Sequence, residues 1–258
     1  MVPTTAAMKA ALVTGAARRL GAGLALELAA MGYAVVIHYR SGADEAKALA
    51  DRIVAEGGQA VPIYADLSTP EACGVLIDEA AREIGPIETL VNSASHFSYD
   101  TLETMTPHAW ATALASNLTA PIFLTQAFAR GLPADAKGVV VNILDQKVGR
   151  PNPDYFSYTA GKVALAYLTP ALALALAPRI RVCGLSPGLV LPSGPQSDDD
   201  YARAAAATPL HLTSGIDSIR RGLRFILESE AFTGQVLTID GGESLVHRDR
   251  DVAFDENV

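Results

Sequence analysis

Only two cysteines, Cys73 and Cys183, occur among the 258 residues. No disulfide framework is therefore needed, and a reducing cytoplasm suits the chain. Neither cysteine sits in a CxxC pair, and the five histidines, at 38, 96, 108, 211 and 247, lack metal-ligand spacing, so no metal is expected. Basic charge is also scarce. Twenty Lys and Arg stand against 28 Asp and Glu, a net charge of −8 with a pI near 5.1, which disfavours a nucleic-acid partner. Long hydrophobic runs are missing as well. Leu165–Ala177 is interrupted by Thr169 and Pro170, and a membrane span needs about 20 apolar residues. Ala10–Val13, after Lys9, is too short for a secretory core segment. No linker rich in Pro, Ser or charge divides the chain, and no repeat appears. With 50% hydrophobic and 19% charged residues, the chain has ample material for a core. One domain over 1–258 is expected.

Short apolar runs alternate with helical patterns. Strands are expected at Ala10–Val13, Tyr33–His38, Val61–Tyr64, Glu88–Val91, Val139–Leu144, Ile180–Leu185 and Gln235–Ile239. Helices are expected at Leu20–Met31, Ala43–Glu56 (stopped by Gly57-Gly58), Pro70–Ile84, Tyr158–Leu176 and Ile216–Glu228. Pro107–Asn117 with Ala120–Arg130 reads as one long or broken helix. This alternation requires crossover connections. The fold class is α/β, a Rossmann-type, doubly wound parallel sheet of about seven strands with helices on both faces. Leu191–Asp200, LPSGPQSDDD, reads as a mobile surface loop or a plain connection, with an Ala-rich helix after it. The polar tail from His247 reads as peripheral or intersubunit.

The string TGAARRLGAG, Thr14–Gly23, follows the first strand and opens the first helix. Gly15 and Gly21 there allow a tight turn and the approach of backbone N–H groups to a pyrophosphate. An unphosphorylated dinucleotide is usually held by an acid at the end of the second strand, about 20 residues on. Here that strand ends His38-Tyr39-Arg40-Ser41, without a carboxylate. A guanidinium and a hydroxyl can hold a 2′-phosphate instead. Arg18 can add charge, and Asp66 suits an adenine contact. NADPH is the expected cofactor.

Tyr158 and Lys162, four residues apart at the start of a helix, share one face. An ammonium near a phenol favours phenolate and lowers its pKa. With these pieces assembled, the chain resembles the short-chain dehydrogenase/reductase family over nearly its whole length. The matching motifs are the glycine loop, Asn92-Ser93-Ala94-Ser95, Asn117, YTAGK at 158–162, Pro187-Gly188 and Asp240-Gly241-Gly242. The resemblance implies that Tyr158 donates the proton and that Lys162 lowers its pKa and holds the nicotinamide ribose. It implies that Asn117 supports a water relay, and that Asn92, Ala94, Pro187 and Gly188 line the cofactor channel.

Two departures narrow the resemblance. Arg19 stands where the family loop usually has glycine, and Asp145 stands where its catalytic serine is usual. Both are similar to the pteridine reductase branch, as are Phe97 after NSASH and the HYRS ending of the second strand. A pterin is flat and rich in nitrogen, so Phe97 can stack on one face while nicotinamide covers the other. A carboxyl at Asp145 can bond a ring N–H or, protonated, deliver a proton. Arg19 can reach a ring atom, and Ser95 lies beside Phe97. The implied function is NADPH-dependent reduction of a pterin-like small molecule. The alternatives are a general ketone or imine reductase and an NADPH-binding protein without turnover. Phe97 can also be plain core, and Asp145 can pair with Lys147 or Arg150. The helix Tyr158–Leu176 carries apolar residues on more than one face and needs a second partner. In the resembled family that partner is the same helix of another subunit, so a homotetramer is expected.

Overall fold

The computed structural model describes residues 8–192 and 197–254. Its sheet has seven parallel strands: β1 (Ala10–Val13), β2 (Ala34–Tyr39), β3 (Gln59–Tyr64), β4 (Ile87–Asn92), β5 (Gly138–Ile143), β6 (Ile180–Pro187) and β7 (Val236–Ile239). Their spatial order is β3-β2-β1-β4-β5-β6-β7, with every neighbouring pair parallel. The chain winds outward from β1 to β3 and then crosses to β4 on the other side of β1. Such a reversal opens a crevice at the carboxyl ends of β1 and β4, where this architecture takes its ligands.

Alternation along β1 shows how the two faces are filled. Ala11 and Val13 join Leu24, Leu28, Ile37, Ile53, Leu223 and Ile226 in one core. Ala10 and Leu12 point the other way, to Leu76, Ile77, Leu90, Leu124 and Phe128. The first face is covered by α1 (Arg19–Ala30), α2 (Ala43–Ala55) and α8 (Gly215–Glu228). The second carries α3 (Pro70–Ile84), α5 (Ala120–Gly131) and α6 (Phe156–Leu176). Thr69 and Thr106 cap α3 and α4 (Pro107–Leu114), each with proline in the first turn. Across α1 and α8, the nearly buried Glu27 receives both Arg220 and Arg224. The face of α6 turned from the sheet bears Tyr167 and Leu174, each 82% exposed.

The expected long or broken helix at 107–130 has a specific form. Between α4 and α5 lies one wider π turn, Ala115–Thr119, carrying the fully buried Asn117. The Ala-rich segment after residue 197 is α7 (Asp198–Ala206), opened by a capping box between Ser197 and Asp200. Residues 193–196 of the expected loop, and 255–258 of the tail, lie outside the described residues. α6 has the length and composition of a membrane span, yet it packs on the sheet and carries the buried Tyr158 and Lys162.

Candidate active site

A cavity of about 840 Å3 opens at the carboxyl ends of the central strands. The loop after β1 forms its floor. Gly15 has φ +63°, and a Cβ there would come within 2.8 Å of Ala94 Cα, so the two loops touch through a position that only glycine fills. Thr14 Oγ1 accepts from Ser93 N and Ala94 N at 3.0 and 2.9 Å, tying the β4 loop to the β1 loop. Arg19, at the family's usual glycine position, keeps a glycine-like backbone with φ +53°. Its guanidinium donates to Pro192 O at 2.9 Å, so the side chain bridges towards the loop after β6. A left-handed arginine costs of order 1 kcal/mol, a strain the fold tolerates where the guanidinium is needed.

His38 does not offer its ring to a ligand. Its Nδ1 accepts from Gly15 N and its Nε2 lies against Ala65 O, each at 3.1 Å. Burial pushes its pKa down to about 4, so the ring is neutral, with Nε2 donating. His38, expected as a cofactor contact, lines the cavity while its ring pins together the ends of β1, β2 and β3. Arg40, Ser41 and Asp66 are exposed at the cavity's rim. Arg18 lines the same region with its guanidinium 2.9 Å from Glu45 on α2. Arg40, by contrast, has no carboxylate partner among the described residues.

At the other end stands a cluster of titratable groups, Tyr158, Asp145 and Lys162. Tyr158 Oη donates to Asp145 Oδ2 at 2.7 Å. Asp145 Oδ1 accepts from Lys147 N at 2.8 Å and caps the short turn Gln146–Val148. Asp145 therefore bonds the backbone of Lys147, and the Lys147 ammonium goes elsewhere. Lys162 Nζ donates to Ile143 O at 2.7 Å and lies 5.7 Å from the Tyr158 ring centre. Burial lowers the Lys162 pKa to about 8, opposed by Asp145. Burial also raises the Asp145 carboxyl, against the hydrogen bonds from Lys147 N and Tyr158. The phenol is pushed well above its ordinary value by burial and then by the Asp145 charge. That direction corrects the expectation of a phenol lowered by Lys162. Burial is the larger cause, the carboxyl at 2.7 Å adds to it, and the phenol holds its proton.

Phe97 is not core. It is 45% exposed, lines the cavity and meets the Tyr158 ring edge-on at 4.8 Å. Ser95 lines the wall beside it, and its hydroxyl donates to Asn117 Oδ1 at 2.8 Å. Asn117 spends its amide on His96 O at 2.8 Å, so in this structure it fixes the Ser95–His96 loop from behind. Gly161 makes that fit possible, since a Cβ there would come within 2.9 Å of Asn117 Cβ. Asn92 is also behind the wall, donating to Asn142 Oδ1 at 2.9 Å. These two asparagines are register partners on β4 and β5. The other expected site residues, Gly15, Gly21, Ala94, Pro187 and Gly188 included, line the cavity.

Sequence reasoning missed several lining residues, among them Tyr155, Lys147, Asp251 and Glu243. Tyr155, with φ +54°, stacks its ring on Phe97 at 4.1 Å and 16°. Lys147 is buried against the tail, with Nζ 2.8 Å from Asp251 Oδ2. Asp251 itself lines the cavity, which corrects the reading of the tail as peripheral. Glu243 receives Gln146 Nε2 at 3.2 Å and Leu189 N at 3.3 Å. Burial, with Asp145 and Asp251 nearby, pushes its pKa up to about 8. Its place after the carboxyl end of β7 was the available signal. Among the described residues no cluster of His, Cys, Asp and Glu could hold a metal.

The glycine loop at a helix start, the cationic rim and the Tyr158–Lys162 pair in one cavity fit a bound dinucleotide with a reacting centre at one end. The comparisons agree with that geometry. The short chain dehydrogenase family pattern matches residues 9–200. Pteridine reductase 1 of Leishmania tarentolae is 34% identical, with 91% of this chain and 96% of that protein covered. A 3-oxoacyl-[acyl-carrier-protein] reductase of Staphylococcus epidermidis is 28% identical over 91% of this chain and 98% of its own. The crystal structure of FolM alternative dihydrofolate reductase 1 from Brucella canis, complexed with NADP, superposes with a TM-score of 0.90. Its identity is 40%, over 94% of this chain and 96% of that one. With a family match over most of its length and relatives of this identity along nearly the whole chain, the chain belongs to the short-chain dehydrogenase/reductase family.

Proposed function

We propose that the protein is an NADPH-dependent reductase of a pterin-like ring, of the dihydropterin or dihydrofolate class. The observation that carries this reading is the 2.7 Å bond between Tyr158 and Asp145, a carboxyl where a ketone reductase needs a neutral hydroxyl. Bound NADPH supplies the hydride, two electrons to one ring carbon of the substrate. The matching proton leaves Tyr158 or Asp145 for the adjacent ring nitrogen, so a C=N bond becomes CH–NH. Lys162, paired with Ile143 O, stands by the phenol and stabilises its anion as the proton departs. Phe97 offers one ring face to the substrate, its other face covered by Tyr155. Arg40, Ser41 and Arg18 hold the 2′-phosphate, and Arg19 neutralises pyrophosphate. The FolM and pteridine reductase relatives support the same substrate class.

A panel of dihydrobiopterin, dihydrofolate, an acetoacetyl thioester and a simple ketone, each with NADPH, tests the assignment. The expected result is a higher kcat/KM on one of the two pteridines than on either carbonyl compound. Faster turnover of the thioester or ketone overturns it in favour of general carbonyl reduction. No turnover of any of the four favours a nucleotide-binding role.

The assembly proposed is a homotetramer in the cytoplasm. The apolar outer face of α6, with Tyr167 and Leu174, supports a helix-to-helix contact between subunits. Light scattering should return four times the 27.0 kDa of one chain; a monomer at micromolar concentration contradicts the proposal.

A further inference from the structure

We propose that Asp251 is a positioning residue of the reaction centre, acting through Lys147 to set the charge under which the Asp145–Tyr158 pair gives up its proton. The inference rests on the reading above that this pair is the proton donor. Asp251 belongs to the segment Arg250–Phe254, which is anchored at Asp154. The Asp154 side chain is 1% exposed and accepts from Arg250 Nε at 2.8 Å, Asp251 N at 2.7 Å and Tyr99 Oη at 3.2 Å. The Phe254 ring packs 4.9 Å from Tyr99 and 6.1 Å from Tyr155, behind the Phe97 stack. Asp251 and Val252 line the same cavity as Asp145 and Tyr158.

The ammonium of Lys147 is the link. It donates to Asp154 O at 3.1 Å and to Asp251 Oδ2 at 2.8 Å, with side chains 3% and 15% exposed. A buried cation costs several kcal/mol unless it is paired, and its carboxylate comes from 104 residues away. A charge held this way is not surface decoration. It stands where Lys147 and Asp145 share a turn, so its presence is felt by the pair.

The charged groups that act on the pair or line the cavity around it are Lys162 on α6, Lys147 after β5, Arg19 on the first loop, Glu243 after β7, and Asp251. The Asp251 charge adds to the upward push on both Tyr158 and Glu243. Lys147 pulls the Asp145 carboxyl down. Removing the Asp251 charge therefore acts twice in one direction. It takes an anion from near the phenol and leaves Lys147 uncompensated near the carboxyl. Both favour loss of the proton at lower pH.

The experiment is the pH profile of kcat/KM, taken with whichever panel substrate the unmodified protein turns over. Activity needs the protonated donor, so it falls as pH rises through the pair's upper apparent pKa. Asp251→Asn should move that alkaline limb down by about one pH unit. Lys147→Gln should move it up, and the double variant should return it near its original place. Asp251→Glu should restore the original limb, and the NADPH dissociation constant should hold in all four. Loss of kcat/KM by the same factor at every pH, with the limb unmoved, overturns the proposal and leaves Asp251 a structural anchor. If Asp251→Asn does not fold, the Lys147→Gln and Asp251→Glu limbs decide in the same way. Should the panel reveal a substrate other than a pteridine, the functional reading fails, while the profile on that substrate still tests Asp251.

Discussion

Asp145→Ser is expected to lower kcat/KM for a dihydropterin by about 100-fold or more, the usual worth of a positioned general acid, while raising turnover of a simple ketone. The substitution is clean in local terms. Asp145 caps the turn Gln146–Val148 by accepting Lys147 N, and serine caps such turns about as well, so the backbone should stay. What changes is the chemistry at Oδ2. A carboxyl that accepts from Tyr158 and is pushed up by burial can hold a proton for a ring nitrogen. Ionised, the same group repels the alkoxide that a ketone develops. Serine removes the repulsion together with the acid. Tyr158→Phe should damage both reactions and leave NADPH binding largely intact, since the phenol's hydrogen-bond partner here is Asp145 and not the glycine loop. The measurement is kcat/KM of each variant on dihydropterin and ketone side by side. Unchanged pterin turnover in Asp145→Ser makes Asp145 structural and removes the main chemical support for the pterin reading.

The sheet was legible because a strand buried on both faces leaves a continuous apolar run, and β5 with its VVVNI is such a run. Tyr158 and Lys162 were legible for a similar reason, since a spacing of four on a helix fixes a common face wherever the helix lies. Asn92 shows the opposite case. A polar residue closing a strand suggests a channel, but the register sets it beside Asn142, whose Oδ1 takes its amide N–H, while the Asn142 amide goes on to Thr169. Asn117 is displaced by a π turn, a slip of the hydrogen-bond pattern that leaves no mark in apolar periodicity. Lys147 and Asp251 meet across 104 residues, and no local pattern encodes a pair of that separation. Tyr155 takes a left-handed backbone that its residue type does not advertise. Local geometry was therefore readable, and contacts that depend on where the chain returns were not.

Arg40→Asp is expected to shift the ratio of NADPH to NADH affinity by about 10- to 100-fold, narrowing or inverting a preference for the phosphorylated nucleotide. A charged hydrogen bond is worth about 1.5–3 kcal/mol, which sets that range. The substitution also restores the acid that usually holds ribose hydroxyls at the end of β2, so loss for one nucleotide comes with gain for the other. The two arginines at this rim are not equivalent. Arg18 is already held by Glu45 at 2.9 Å, and must give up that partner to meet a phosphate. Arg40 has no carboxylate to leave among the described residues, so more of its interaction appears as affinity. Arg18→Ala should consequently cost less than Arg40→Ala. Because Arg40 and Ser41 are exposed, added salt should weaken the NADPH preference in the unmodified protein. Titration of both nucleotides by fluorescence, at low and high salt, reads all of this. Equal affinity of the unmodified protein for NADPH and NADH, or a ratio untouched by Arg40→Asp, removes the 2′-phosphate from this rim.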